Sequence, residues 1–264
     1  QFPRSVITKT SSAPEALAAS LSERGYVDMG YIANLLGVTE DEAFNQLGNT
    51  VFEEPIRNLG GRIEAQVVTA SEYLSGPVRK KLKAAKAAAA KDSRFQRNVS
   101  ALEAAQPPDI APHDIGVKLG ASWVPVEVYS AFLKYLVGAD ITIHYIPGEG
   151  TWALNDARSD NQIGSKDLAD WGTLDIPAVE LVGRLMNQRE IAVRQTYKDA
   201  DGSVHTIILE EETAAAKQKA VELQREWKNW LWADDARMTQ LVRIYNDMFN
   251  DFLPPEFDGS HLTM

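Results

Sequence analysis

Residues 28–55, DMGYIANLLGVTEDEAFNQLGNTVFEEP, decide how the N-terminal part of the chain folds. Asp28 stands where a helix N-cap is needed. Ile32, Leu35 and Leu36 then fall on one apolar face, and Gly37 can close the turn in a left-handed conformation. Thr39 and Glu42 have capping-box spacing, so a second short helix starts there and turns Phe44 and Leu47 inward. TVFEEP follows as a strand. Pro55 and Gly60-Gly61 predict a turn, and IEAQVVTA predicts the return strand. Upstream, PEALAASLSERG (14–25) adds one more helix, with Ser12 as cap, Pro14 in the first turn, Leu17 and Leu21 on one side and Gly25 at the stop. Three short helices and a hairpin within about 70 residues match a winged helix-turn-helix.

Beyond this unit, GPVRKKLKAAKAAAAKDSRFQRNVSALEAAQPP (76–108) predicts a pair of helices. Gly76-Pro77 opens the first, whose alanine run has the highest helix propensity available. Asp92-Ser93 caps the second, with Phe95, Val99 and Leu102 on one side, and Pro107-Pro108 ends it. From residue 113 the pattern is mixed. HDIGVKLGASWVP predicts a short strand and VEVYSAFLKYLVG a helix closed by Gly138. ITIHYI and TWAL flank the turn PGEG, IPAVELVGRLMNQ is helical, and IAVRQTY and SVHTIIL flank DADG. At the end, Ala216, Ala220, Leu223 and Trp227 form one apolar stripe. Met238, Leu241, Val242, Tyr245, Phe249 and Phe252 form another. The expected fold is α+β in three parts: a winged-helix-like domain (1–75), a basic helical connector (76–108) and a mixed module with β-hairpins and C-terminal helices (109–264).

Composition narrows the chemistry. The 264 residues are 44% hydrophobic and 24% charged, which suits a globular chain of one or two domains. With no cysteine there is no disulfide framework, thiolate metal site or cysteine nucleophile. The net charge of −10 does not suit a general nucleic-acid coat. No apolar run approaches the ~20 residues of a membrane span, and no signal peptide opens the chain. Gln1 at the start and FDGSHLTM at the end point to an internal piece of a larger protein.

Several sites of known chemistry are missing from the sequence. Neither GxxxxGK[ST] nor GxGxxG occurs, and Gly148-Glu149-Gly150 sits in a hairpin turn without a helix to present its amides to phosphate. His113, His144, His205 and His261 are too far apart in sequence to suggest a ligand set, and HExxH is absent. Asp199-Ala200-Asp201-Gly202 has Glu210 downstream but lacks the third ligand and the flanking helices of a calcium loop, so it is a turn. Gln106-Pro107-Pro108-Asp109 and Leu253-Pro254-Pro255-Glu256 are not the Asp/Asn-Pro-Pro-aromatic loop of amino-directed methylases. Glu53, Glu54 and Glu210 to Glu212 are carboxylate clusters with solvated or capping roles.

One segment stands out electrostatically. Arg79, Lys80, Lys81, Lys83, Lys86, Lys91, Arg94 and Arg97 are opposed only by Asp92, which gives +7 inside a chain of −10 and leaves −17 for the rest. Three readings stay open: a solvated helix face, a phosphate-contacting surface, and a dock for an acidic neighbour. The presumed recognition helix points the other way, because Glu40, Asp41 and Glu42 at its start repel phosphate and leave only Asn45 and Gln46 to read a base edge. Trp227, Trp230 and Trp232 are core or interface residues before they are stacking platforms.

SEYLSGPVRKKLKAAKAAAAKDSRFQRNVSALEAAQPPDI (71–110), VKLGASWVP, KNWLW and RIYNDMFN…PPEFDGSHLTM resemble a family of very large phage- and plasmid-associated proteins. These join an adenine-specific DNA methylase-like domain to a superfamily-two, Swi/Snf-like DEAD/DEAH helicase. The resemblance runs from about Pro14 to Met264 and is most specific from Ser71 to Pro125. It implies a region just upstream of the helicase core, in a cytoplasmic protein of bacterial, phage or plasmid origin. It also implies ATP and magnesium, with S-adenosylmethionine, as cofactors of the parent. None of these cofactors is expected to bind this chain, since the parent's catalytic motifs fall outside it. The chain is therefore expected to be an accessory, non-catalytic module that handles DNA or positions domains, with DNA and the neighbouring helicase and methylase domains as partners and no membrane. The alternative is a protein-interaction spacer that never touches nucleic acid. A self-contained enzyme finds no nucleophile, metal or cofactor constellation to rest on.

Overall fold

The computed structural model describes residues 9–59, 62–158 and 163–255. The Gly60-Gly61 turn, His261 and the segment FDGSHLTM lie outside the described residues. In chain order the elements are α1 (Ala13–Arg24), α2 (Met29–Leu36), α3 (Glu40–Leu47), β1 (Val51–Leu59), β2 (Arg62–Thr69), α4 (Ala70–Tyr73), β3 (Gly76–Pro77), α5 (Val78–Ala89) and α6 (Gln96–Ala104). They continue with α7 (Val126–Val137), β4 (Thr142–Ile146), β5 (Thr151–Asn155), α8 (Ala178–Met186), β6 (Arg194–Lys198), β7 (Val204–Ile208), α9 (Glu210–Trp232), α10 (Asp235–Phe249) and β8 (Phe252–Leu253). The fold is α+β, built among the described residues from helices and four separate two-stranded antiparallel pairs.

By contacts the chain forms two compact units. One comprises Gln1–Asp109 together with Asn246–Met264, and the other is Ile110–Tyr245. The three-part division at 75/76 and 108/109 follows chain order. Contacts instead gather the three-helix unit, the helices α5 and α6 and the C-terminal strand β8 into one body.

In the first unit the local signals act as their chemistry requires. The Asp28 carboxylate accepts the Tyr31 N–H at 3.0 Å, and Gly37 closes α2 at φ +71°. Thr39 and Glu42 form a complete capping box, and the backbone N–H of Thr39 holds the Glu42 carboxyl below the ordinary carboxylate range. Ala16, Ile32, Ala43 and Val51 are fully buried together, and Leu47 joins them while Phe44 is partly covered. Pro55 does not turn the chain. Strand β1 runs through it, with a bulge between Pro55 and Arg57 that absorbs the missing N–H. Gly76-Pro77 pairs with Leu253 and Phe252 before α5 begins at Val78. Behind the hairpin, Phe52 stacks on Tyr73 at 5.1 Å, and Val78 and Leu102 complete a second buried cluster.

The second unit is organised around Trp227 of α9. It stacks on Tyr129 at 5.1 Å and meets Phe132 edge-on at 5.0 Å. Leu133, Leu136 and Leu181 are fully buried in the same core. Trp152 of β5 donates its indole N–H to the Gly120 carbonyl at 2.8 Å. Gly120 has φ +91°, and a Cβ there would meet the Met186 carbonyl oxygen at 2.3 Å, so only glycine fits. HDIGVKLGASWVP forms no strand among the described residues. Ile115, Val117 and Leu119 are buried in alternation with exposed Gly116 and Lys118, the period of a strand, but no ladder pairs them. The last apolar stripe also stops short of expectation. Leu241 is buried and Val242 and Tyr245 are partly covered, yet Phe249 and Phe252 are exposed because α10 ends between them.

Candidate nucleic-acid interface

The basic segment is helical, as its alanines dictate, and its eight cations separate into two groups. Arg79 is buried: its Nε donates to the Asn250 carbonyl at 2.9 Å, and Nη2 donates to the Pro107 carbonyl and to Asp109 Oδ1, the latter at 2.7 Å. Lys81 donates to the carbonyls of Glu72 and Tyr73 and lies over the Tyr73 ring. Arg94 pairs with Glu53 at 2.8 Å and with Asp92, and reaches the Ile63 carbonyl. Arg97 donates to the carbonyls of Gly48 and Val51 while its guanidinium packs on the rings of Phe44 and Phe52, 4.9 Å from each centroid. These four tie α5, α6 and the turn between them to other parts of the first unit. Asn98 belongs with them, since its buried amide donates to the Glu53 carbonyl and the Tyr73 hydroxyl.

The other four lysines point outward. Lys86 is neutralised by Glu103 at 2.7 Å. Lys80 has a side chain 76% exposed and lies 3.6 Å from Asp251, beyond hydrogen-bonding distance. Lys83 and Lys91 are exposed and have no ion pair among the described residues. Lys80, Ala84, Ala87 and Lys91 are spaced i, i+4, i+7, i+11, so they share one face of the helix and its following turn, with Lys83 at its edge. Beside this face the hairpin of β1 and β2 leaves a groove of about 220 Å³, lined by Pro55, Ile56, Ile63, Ala84, Ala88 and Lys91 among others.

The front of the winged helix carries opposite charge. Glu40, Asp41 and Glu42 sit in the first turn of α3, and Asn45 and Gln46 are exposed further along it. All eight cations, with Asn45 and Gln46, are DNA-contact candidates by sequence. Arg79, Lys81, Arg94 and Arg97 make hydrogen bonds or ion pairs within the chain, with Arg94 still exposed. The structure also brings in Ile56 and Ile63, which spacing alone does not reveal because they come from the hairpin.

In the second unit a groove of about 920 Å³ opens between the hairpin of β4 and β5 and helix α8. On its lining Arg184 pairs with Glu180 and Arg194 with Glu190, and Asn187 bonds both the N–H and the carbonyl of Trp152. Nearby, Arg158 bridges Asp156 and buried Asp167; its hydrogen bonds hold the Asp156 carboxyl below the ordinary range. Trp227 is core, and Trp230 and Trp232 pack partly buried against that core. Among the described residues no group of three His, Asp or Glu converges as a metal site would require. No helix among them is long and apolar enough to cross a membrane.

Residues 9–59 match the family described as "Probable helicase, winged helix domain", so the three helices and first wing strand are a helicase-associated winged helix. No curated protein and no solved structure matches the chain. Residues 118–251 match a second family model across half of the chain, and on that match the chain belongs to the family described as a domain of unknown function (DUF8437).

Proposed function

We propose that this chain is an accessory, non-catalytic module of a DNA helicase, and that it handles DNA beside the motor. The observation that carries this reading is a helicase-type winged helix followed by a basic stretch in which Lys83 and Lys91 stay exposed without an ion pair among the described residues, while Arg79 and Arg97 bond within the chain. Cations in excess of their acidic neighbours are what a polyanionic backbone requires. The parent we propose is the helicase–adenine methylase fusion of phage and plasmid type, acting in the bacterial cytoplasm. In it ATP, magnesium and S-adenosylmethionine serve domains outside this chain, and those domains are its partners. Fluorescence anisotropy of the purified chain with a labelled duplex, across a salt series, tests the reading. Binding should weaken steeply as salt rises, with a slope of about −0.9 per neutralised phosphate.

The spacer reading is favoured by a different observation: the front of α3 is acidic, and four of the eight cations are spent inside the fold. Absence of any duplex binding at low salt selects it over the first.

A further inference from the structure

We infer that the outer face of α5, and not the recognition helix α3, holds duplex DNA, and that it does so by the phosphate backbone without reading sequence. This rests on the DNA-handling reading above and specifies which surface performs it.

Charge placement comes first. The acids near α5 already have partners: Glu53 and Asp92 bind Arg94, Glu54 faces Lys81, and Glu103 binds Lys86. Lys83 and Lys91 are left over among the described residues, while Lys80 keeps its ammonium exposed as it pairs with Asp251 at 3.6 Å. Lys83 lies within α5 and Lys91 in the turn that follows Ala89, so they can engage separate phosphates. Lysine suits this task as a mobile point charge with no planar fork for a base edge.

Shape comes second. Between the lysines the surface is alanine, Ala84 and Ala87, which lets a backbone approach closely. The groove alongside has apolar walls in Ile56 and Ile63 and a cation, Lys91, on its lining. An apolar floor with a lysine at its edge complements a deoxyribose followed by its phosphate. Among the described residues that line it there is no amide or guanidinium to select a base. On α3, by contrast, a phosphate approaching Asn45 or Gln46 meets Glu40 and Asp41 in the preceding turn, where the carboxylates already satisfy the helix dipole.

The test uses the whole chain and three unrelated duplexes in anisotropy titrations over a salt series. The combined variant Lys80→Gln, Lys83→Gln, Lys91→Gln should lose at least ~10-fold in affinity equally on all three duplexes, and its salt slope should fall by about 3 phosphate equivalents. Asn45→Ala with Gln46→Ala should leave affinity unchanged. Lys86→Gln should matter much less than Lys83→Gln, because Lys86 is already neutralised. Ala87→Trp fills the strip without changing charge and should weaken binding while the melting temperature stays constant. If the unaltered chain binds no duplex, the DNA-handling reading itself falls. If it binds, the surface assignment is overturned by full affinity in the triple lysine variant, by loss in the α3 variant, or by equal effects of Lys86→Gln and Lys83→Gln. Melting curves confirm that each variant is folded, and all of these side chains are exposed.

Discussion

Arg97 shows how a cation that looks like a DNA contact in the sequence becomes part of the frame. Its guanidinium donates to two carbonyls at the end of the three-helix unit, Gly48 and Val51, and lies between two phenyl rings. The two carbonyls would otherwise face a protein interior, where an unpaired acceptor is costly. Arg97→Ala should therefore destabilise the first unit by about 2–3 kcal/mol, and Arg97→Lys by less, in urea unfolding monitored by circular dichroism. Measured per folded molecule, duplex affinity should not change. Arg94 and Arg79 follow the same logic with other acceptors, Glu53 and Asn250.

Among the elements, α3 depends most on a local device. At eight residues it is too short to hold together unaided, so its start is fixed by the Thr39–Glu42 capping box and its inner face by Ala43 and Leu47. Thr39→Ala should cost about 1 kcal/mol in thermal or urea unfolding. The box also sets a pH dependence. Glu42 is held below its ordinary value of 4.5, first by the Thr39 backbone N–H. A carboxyl depressed in the folded state contributes stability that is complete above its unfolded value and is lost as pH falls through the folded one. The stability difference between the native chain and Glu42→Gln should then be constant near neutrality and shrink as the solution is acidified below about 4.5. Melting temperatures at closely spaced pH values measure this. The hairpin of β6 and β7 is an element of the opposite kind, with every residue on both strands exposed and order supplied by cross-strand pairs such as Tyr197 on His205.

At the scale of the whole molecule, the first unit is discontinuous in sequence and needs its last residues. Val78 N–H donates to the Asp251 carbonyl, Arg79 to the Asn250 carbonyl, and Asn250 in turn donates to the Pro108 carbonyl. A chain ending at residue 245 should keep the winged helix but leave buried Arg79 with fewer acceptors and β3 without its partner. The first unit should lose about 2–4 kcal/mol, and the Val78 amide should exchange with solvent much faster than in the full chain. Unchanged protection of Val78 would show that the C-terminal strand plays no part in holding this unit.

Most helices and the three longer hairpins are legible in the sequence because their causes are local, whereas the pairing of β3 with β8 is not. Asp28, the Thr39–Glu42 pair, Gly25, Gly37 and Gly138 act within a turn or two of the residues they organise, and apolar spacing then orients each helix. The sequence by itself also exposed the excess of charge on residues 79–97. Tertiary structure alone decided which of those charges remain available. Arg94 meets Glu53 across 41 residues, Arg97 meets Gly48 across 49, and Arg79 meets Asn250 across 171. Spacing cannot announce such bonds, since they form only where packing brings distant carbonyls and carboxylates to a cation. The same holds for the segment at 115–119, whose alternation mimics a strand, and for Phe249 and Phe252, left exposed where the helix ends. A periodic pattern states which side of the chain is apolar, and only the packed neighbours decide what, if anything, covers it.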